Sequence, residues 1–171
     1  MNPAHVDNDA AAKSDGARRE GKYLTFTLAE EEFGIGILKV REIIGMMAFT
    51  PIPRTPGFVK GVINLRGRVI PVIDLRLKFG MDSQAYDERT CIVVVQVQGL
   101  EGVSSIGIVV DAVNEVTNVK EEEVESTPSF GVSLDTAYIL GLAKSGDNVR
   151  ILLDIDRVLG GEELALLRQA A

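Results

Sequence analysis

The sequence predicts an all-β protein made of two small barrels in close contact, and three observations carry that expectation. About nine or ten short β-rich segments follow one another at close spacing, with turn-forming residues between them. Persuasive helical spacing appears only from Asp154 onward. A long polar loop near residue 85 separates two strand-rich halves, which places the division between the barrels there. No repeat is legible at the level of sequence identity.

In chain order, residues 1–20 carry almost no bulky apolar side chains and cannot offset the entropy of ordering, so they read as a disordered tail. Tyr23, Leu24, Phe26 and Leu28 begin a strand, Ala29 to Glu32 form an acidic turn, and Phe33 to Ile37 return as a second strand. Leu38 to Ile44 suits either a helical turn or a strand, and Pro51, Pro53 and Pro56 then impose an extended connection. The segment Gly61 to Gly80, GVINLRGRVIPVIDLRLKFG, organises the rest. It reads as a hairpin whose bend, Arg66-Gly67-Arg68, carries two guanidinium groups, with Gly67 meeting the conformational demand of the turn. Pro71 cannot donate to a ladder and is expected at an edge or a bulge. Thr90 to Val97 is a sheet-core strand that should bury Cys91, and Val103–Val110 and Ala112–Val119 are two more, with Asp111 at the bend between them. Lys120 to Glu125 reads as a solvated turn. Tyr138–Lys144 and Val149–Leu153 flank a hairpin loop at Ser145, and Asp154–Leu159 and Glu162–Gln169 are helical, the latter as a short C-terminal helix.

Composition narrows the function. A hydrophobic content of 46% over 171 residues supports a core without disulfides, and the single Cys91 rules out a disulfide framework within the chain. A net charge of -7 argues against nucleic acid and points to protein partners. No apolar run is long enough to span a bilayer and no signal peptide is legible, so a cytoplasmic location is expected, without membrane insertion. The only histidine, His5, lies in the tail, which removes histidine-based acid-base chemistry and most transition-metal sites; no cofactor is expected. The skeleton GxxxxGK at residues 16–22 lacks the following Ser or Thr, and Gly34-Ile-Gly36 lacks the third glycine of a dinucleotide fingerprint, so neither is read as a site. The enzyme alternative, a small metal- or nucleotide-dependent catalyst, rests on the carboxylates Asp74, Asp111, Asp154 and Asp156, for which capping and turn roles suffice.

The string from Gly34 to Ile43, the Pro51–Gly61 connection and the combination NLRG with PVIDLR strongly resemble the CheW family of chemotaxis coupling adaptors, as do IGIVVDAVNEV and YILGLAKSGDNVRILLDID. The resemblance covers residues 23–171. It implies two intertwined five-stranded SH3-like barrels and a non-enzymatic adaptor. Such an adaptor joins the cytoplasmic tips of methyl-accepting chemoreceptors to the regulatory domain of the histidine kinase CheA in membrane-associated arrays. Carried over residue by residue, the receptor-facing groove falls on Val40, Glu42, Ile43, Gly61, Arg66 and Val116, and a ring contact with the kinase regulatory domain on Phe130. Glu125 lies in an acidic run where relatives can present basic character, so the polar part of the ring contact departs from the family pattern. From the residues alone Arg66 could be a plain solvated turn residue. Beside Val40 and Ile43, however, its planar guanidinium has the makings of an interface anchor that Glu42 can orient.

Overall fold

The computed structural model describes residues 19–99, 102–126 and 136–159. His5 and most of the expected tail, Phe130, and the helix expected at 162–169 lie outside the described residues. The opening hairpin forms from β1 (Gly21–Leu28) and β2 (Glu31–Gly36), turned by Ala29 and Glu30 at φ 50° and 72°. The ambiguous segment after it contains both structures in succession, a 3-10 turn at Ile37–Lys39 and then β3 (Val40–Gly45). The organising hairpin is β4 (Val59–Leu65) and β5 (Arg68–Asp74), followed by one helical turn, α1 (Leu75–Lys78). Next come β6 (Cys91–Gly99), β7 (Gly102–Val110) and β8 (Ala112–Val119), with the bend at Asp111, and the two-residue β9 (Val124–Glu125). A second hairpin, β10 (Ile139–Ser145) and β11 (Asn148–Leu153), leads into α2 (Ile155–Val158).

The strands make two sheets, ordered β8-β1-β2-β11-β10-β9 and β3-β6-β7-β5-β4. Residue 85 therefore does not divide the architecture, because β5 and β6 on either side of it belong to the same sheet. The chain instead gives β1 and β2 to the first sheet, β3 to β7 to the second, and returns to the first. Each sheet contains one parallel pair, β2 with β11 and β5 with β7. The first sheet has six strands rather than five, the extra one being the short β9.

Period-two alternation assigns the side chains of each sheet to two faces. On β1, Leu24, Phe26 and Leu28 join Val93, Val95 and Val97 of β6 in the main core, which is drawn from both sheets and packs them together. At roughly 1.5–3 kcal/mol for each fully buried aliphatic side chain, this shared cluster dominates the stability of the assembly. The opposite faces enclose smaller cores. Among the described residues the second sheet wraps Ile63, Ile70, Val72, Ile92, Val94 and Val109, and the first wraps Tyr23, Val119, Ala143 and Leu152 with Val124 and Leu140 packed against them. Cys91 does not lie within a core. It is half-buried at the start of β6 and packs against the shared cluster, and burial raises its thiol pKa despite a backbone hydrogen bond at Val113.

Pro71 also differs from expectation, since β5 lies between β4 and β7 and the bulge falls between Val59 and Gly61 instead. Pairing with β7 begins only at Val72, so β7 asks no hydrogen bond of the proline. Counting from the Leu65–Arg68 closing pair, Val62–Pro71 falls on a non-hydrogen-bonded rung of the antiparallel ladder. That rung leaves the N–H and C=O of Val62 facing outward, where both bond Thr50 at 2.9 Å. The bridge carries the chain from β3 at one edge of the second sheet onto β4 at the other.

Candidate functional site

The inner face of the second sheet ends in polar groups. Ile44 on β3 packs into the enclosed core, and Glu42, two residues earlier on the same face, lies beyond it. On β6 the row Ile92, Val94 ends in Gln96, which is paired in register with Ser105 of β7. On β5 the residue before the Val69–Ile70 step is Arg68, whose guanidinium reaches the Ser105 hydroxyl at 3.4 Å. Across this end lies the β4–β5 turn, and its Arg66 forms an ion pair with Glu42. The expected pairing of these two residues is thus present, with the Arg66 side chain 69% exposed.

The turn itself departs from expectation. Both Arg66 and Gly67 have positive φ, 52° and 86°, so the arginine shares a conformational demand assigned in advance to the glycine alone. A two-residue hairpin loop with both residues left-handed matches the twist of its strands, which explains why the arginine is held there. The Asn64 side-chain oxygen accepts from the Gly67 N–H at 2.8 Å and braces the turn.

Of the remaining predicted residues, Ile43 follows Glu42 on β3 and is 45% exposed, while Val40 is half-buried against the shared core. Gly61 has a clear structural requirement. It sits at the β4 bulge with φ +139°, and a Cβ there would lie 2.2 Å from the Thr50 carbonyl oxygen, so the Thr50–Val62 bridge needs a glycine. Val116 is in the other sheet, on β8 opposite Leu24 of β1, and is 51% exposed.

The carboxylates behind the enzyme alternative are engaged in the fold. Asp74 caps α1, accepting from the N–H groups of Arg76 and Leu77, and also accepts the Tyr86 hydroxyl at 2.8 Å. Burial, reinforced by that bond, raises the Tyr86 phenol above its ordinary pKa. Asp154 caps α2, and Asp156 accepts Lys39 at 2.6 Å and the Gln98 N–H at 2.8 Å. Asp111 takes a two-pronged contact from Arg76, at 2.7 Å and 2.6 Å, and accepts the Ala29 N–H at 2.9 Å. Burial alone would raise the Asp111 pKa, but the Arg76 hydrogen bonds, the Ala29 N–H and the Arg76 charge together hold it below the usual carboxylate value. Asp74, Arg76, Tyr86 and Asp111 line a cavity of about 410 Å³, whereas Asp154 and Asp156 lie apart from it. Sequence reasoning found Asp111 but not its partner, although Arg76 closes the PVIDLR string.

A second surface also lacked a signal in the sequence. A groove of about 650 Å³ is lined by Ile37, Leu140, Leu153 and Ile155, and Leu38 stands at it 93% exposed. Leu38 is the most exposed large apolar side chain among the described residues, while Leu153 and Ile155 beneath it are buried and Lys39, Asp154 and Asp156 border the groove.

Comparison with known proteins matches residues 22–163 to the CheW-like domain. The Chemotaxis protein CheW of Klebsiella aerogenes is 45% identical over 150 residues, spanning 88% of each chain. That of Treponema pallidum is 34% identical over 148 residues, covering 84% of this chain and 85% of its own. Among solved structures, the scaffolding protein TtCheW from Thermoanaerobacter tengcongensis superposes with a TM-score of 0.74 at 35% identity, over 84% of this chain and 95% of that one.

Proposed function

The chain belongs to the CheW-like family of chemotaxis scaffold proteins, and from that membership we propose that it is a non-enzymatic adaptor coupling chemoreceptor cytoplasmic tips to the regulatory domain of CheA. The observation that carries the receptor half of this reading is the Arg66–Glu42 pair at the polar end of the second sheet, with Ile43 exposed on the other face of β3. A guanidinium paired with a carboxylate offers a directional polar anchor, and an exposed aliphatic side chain offers area that water leaves readily on contact. In the family-based assignment Val40 and Gly61 belong to that surface and Val116 extends it onto the other sheet. An adaptor needs a second face, and the apolar groove at Leu38 has the character of one. Phe130 is carried as the ring contact by family resemblance. The protein acts from the cytoplasm, recruited to receptor arrays, by changing the geometry and occupancy of the kinase. Among the described residues no helix is long and apolar enough to cross a membrane.

The test is a pull-down of the immobilised chain with purified CheA and a receptor signalling-tip fragment, separately and together. Recovery of a ternary complex is expected. Failure to retain either partner would overturn the reading.

A further inference from the structure

The charges of this molecule are unevenly placed. Residues 37–78 contain eight Lys and Arg against only Glu42 and Asp74, although the whole chain carries a net charge of -7. Four of those cations are engaged within the fold. Lys39 pairs with Asp156, Arg76 with Asp111, Lys60 lies 5.8 Å from the Tyr86 ring centroid and Lys78 4.7 Å from that of Phe58. The rest include three arginines at one end of the second sheet: Arg66 pairs with Glu42, Arg41 precedes Glu42 near the start of β3, and Arg68 begins β5 and reaches the Ser105 hydroxyl. Arg41 and Arg68 are exposed, and among the described residues no carboxylate pairs with either. The first sheet and its connections have the opposite character, with Glu30 to Glu32 at the β1–β2 turn and Glu121 to Glu123 before β9.

We infer that the end of the second sheet bearing Arg41, Arg66 and Arg68 is an electrostatically steered docking surface for a partner presenting carboxylates beside apolar side chains. Arg41 and Arg68 are the residues those carboxylates engage. This rests on the adaptor reading, in which the partner is the receptor tip, and adds the chemistry that tip must carry. A purely apolar partner would cover two guanidinium charges that have no carboxylate partner, and a basic one would be repelled. An acidic partner satisfies both. Because the first sheet repels the same partner, the uneven charge also selects the orientation of approach, which a uniformly basic protein could not do.

The experiment titrates the full chain with a receptor cytoplasmic-tip fragment across a salt series, by calorimetry for affinity and stopped flow for association. Arg41→Gln, Arg68→Gln and the double variant are compared with wild type, and Arg157→Gln serves as a charge change on α2 equal to that of each single variant. Thermal melting confirms the fold of each. The double variant should associate more slowly and bind about tenfold more weakly at low salt, converging on wild type as salt screens the charges. Arg157→Gln should show much less of this. Wild-type binding with the same salt dependence in the double variant would overturn this inference and leave the adaptor reading standing. Absence of binding by the wild-type chain would overturn both.

Discussion

The two hairpin-and-turn units, β4–β5–α1 and β10–β11–α2, share a backbone and differ in what they enclose. Val59 pairs with Ile73 as Ile139 pairs with Leu153, and each strand pair shifts register just before a glycine, Gly61 or Gly141. Asp74 donates its N–H to the Phe58 carbonyl as Asp154 does to that of Tyr138, and each aspartate then caps the helical turn that follows. Both glycines lie where another segment comes in close, Thr50 in one case and Val124–Glu125 of the neighbouring β9 in the other. The side chains diverge. Ile70 is buried in the core of the second sheet, whereas the position in register with it on β11 is Arg150, which pairs with Glu32 and, at 3.6 Å, with Glu115. Glycine and an aspartate cap are therefore enough to repeat the backbone, while the enclosed space can be filled with aliphatic groups or with an ionic network.

The largest expected effect tests the shared glycine. Gly61→Ala requires positive φ of a residue with a Cβ and drives that atom into the Thr50 carbonyl, so a loss of about 3 kcal/mol or more is expected in denaturant unfolding. Gly141→Ala should cost less. There the nearest obstacle, at 2.6 Å, is a side-chain methyl of Val124, which can move, although the Glu125 carbonyl is 3.0 Å away. Equal losses would mean that the Thr50 bridge is more pliant than its geometry implies.

Filling comes next. Ile70→Ala should cost roughly 2–5 kcal/mol by leaving a cavity in a close-packed core. Arg150→Ile, which transplants the apolar choice into the ionic site, should cost only about 1–2 kcal/mol, because Glu32 and Glu115 retain access to water once unpaired. A loss as large as that of Ile70→Ala would show that the network, not the backbone, holds the second hairpin.

The caps can be separated by pH. Arg76 ties α1 to Asp111 at the β7–β8 bend, whereas the corresponding position after Asp154 is Asp156, held by Lys39. The folded pKa of Asp111 is depressed, so its contribution is present above the ordinary carboxylate value and is lost as pH falls through the lower folded value. Arg76→Gln should therefore destabilise by about 1–3 kcal/mol at neutral pH, with the deficit shrinking below about pH 4. A pH-independent deficit would assign the loss to packing.

Much of this comparison was hidden in the sequence for physical reasons. Strand identity, the hairpins and the capping aspartates follow from local pattern, and they are legible. The parallel pairing of β5 with β7 and of β2 with β11 joins distant segments, and no local pattern encodes it. Arg150 in register with Ile70 conceals the repeat, because it breaks the apolar alternation that would reveal it. At the candidate site, Glu42, Ile43 and Arg66 are assigned through family resemblance, but the left-handed Arg66 is not legible in the sequence, since glycine at the next position can satisfy a turn by itself.

The smallest effect on the fold, with the largest on binding, is expected at Arg66. Its side chain is mostly in water, and an exposed ion pair contributes little, so Arg66→Ala should leave the melting temperature nearly unchanged. Arg66→Gly should stabilise slightly, since glycine accepts φ 52° without a Cβ penalty. Both variants remove the same guanidinium and should weaken binding of a receptor-tip fragment by about tenfold or more, with much less change toward the regulatory domain of CheA. Arg66→Glu should be worse, because it sets a second carboxylate against Glu42. The glycine variant makes the comparison decisive. Weaker receptor binding by a chain at least as stable as wild type assigns the loss to the interface, whereas unchanged binding in all three variants would remove Arg66 from it.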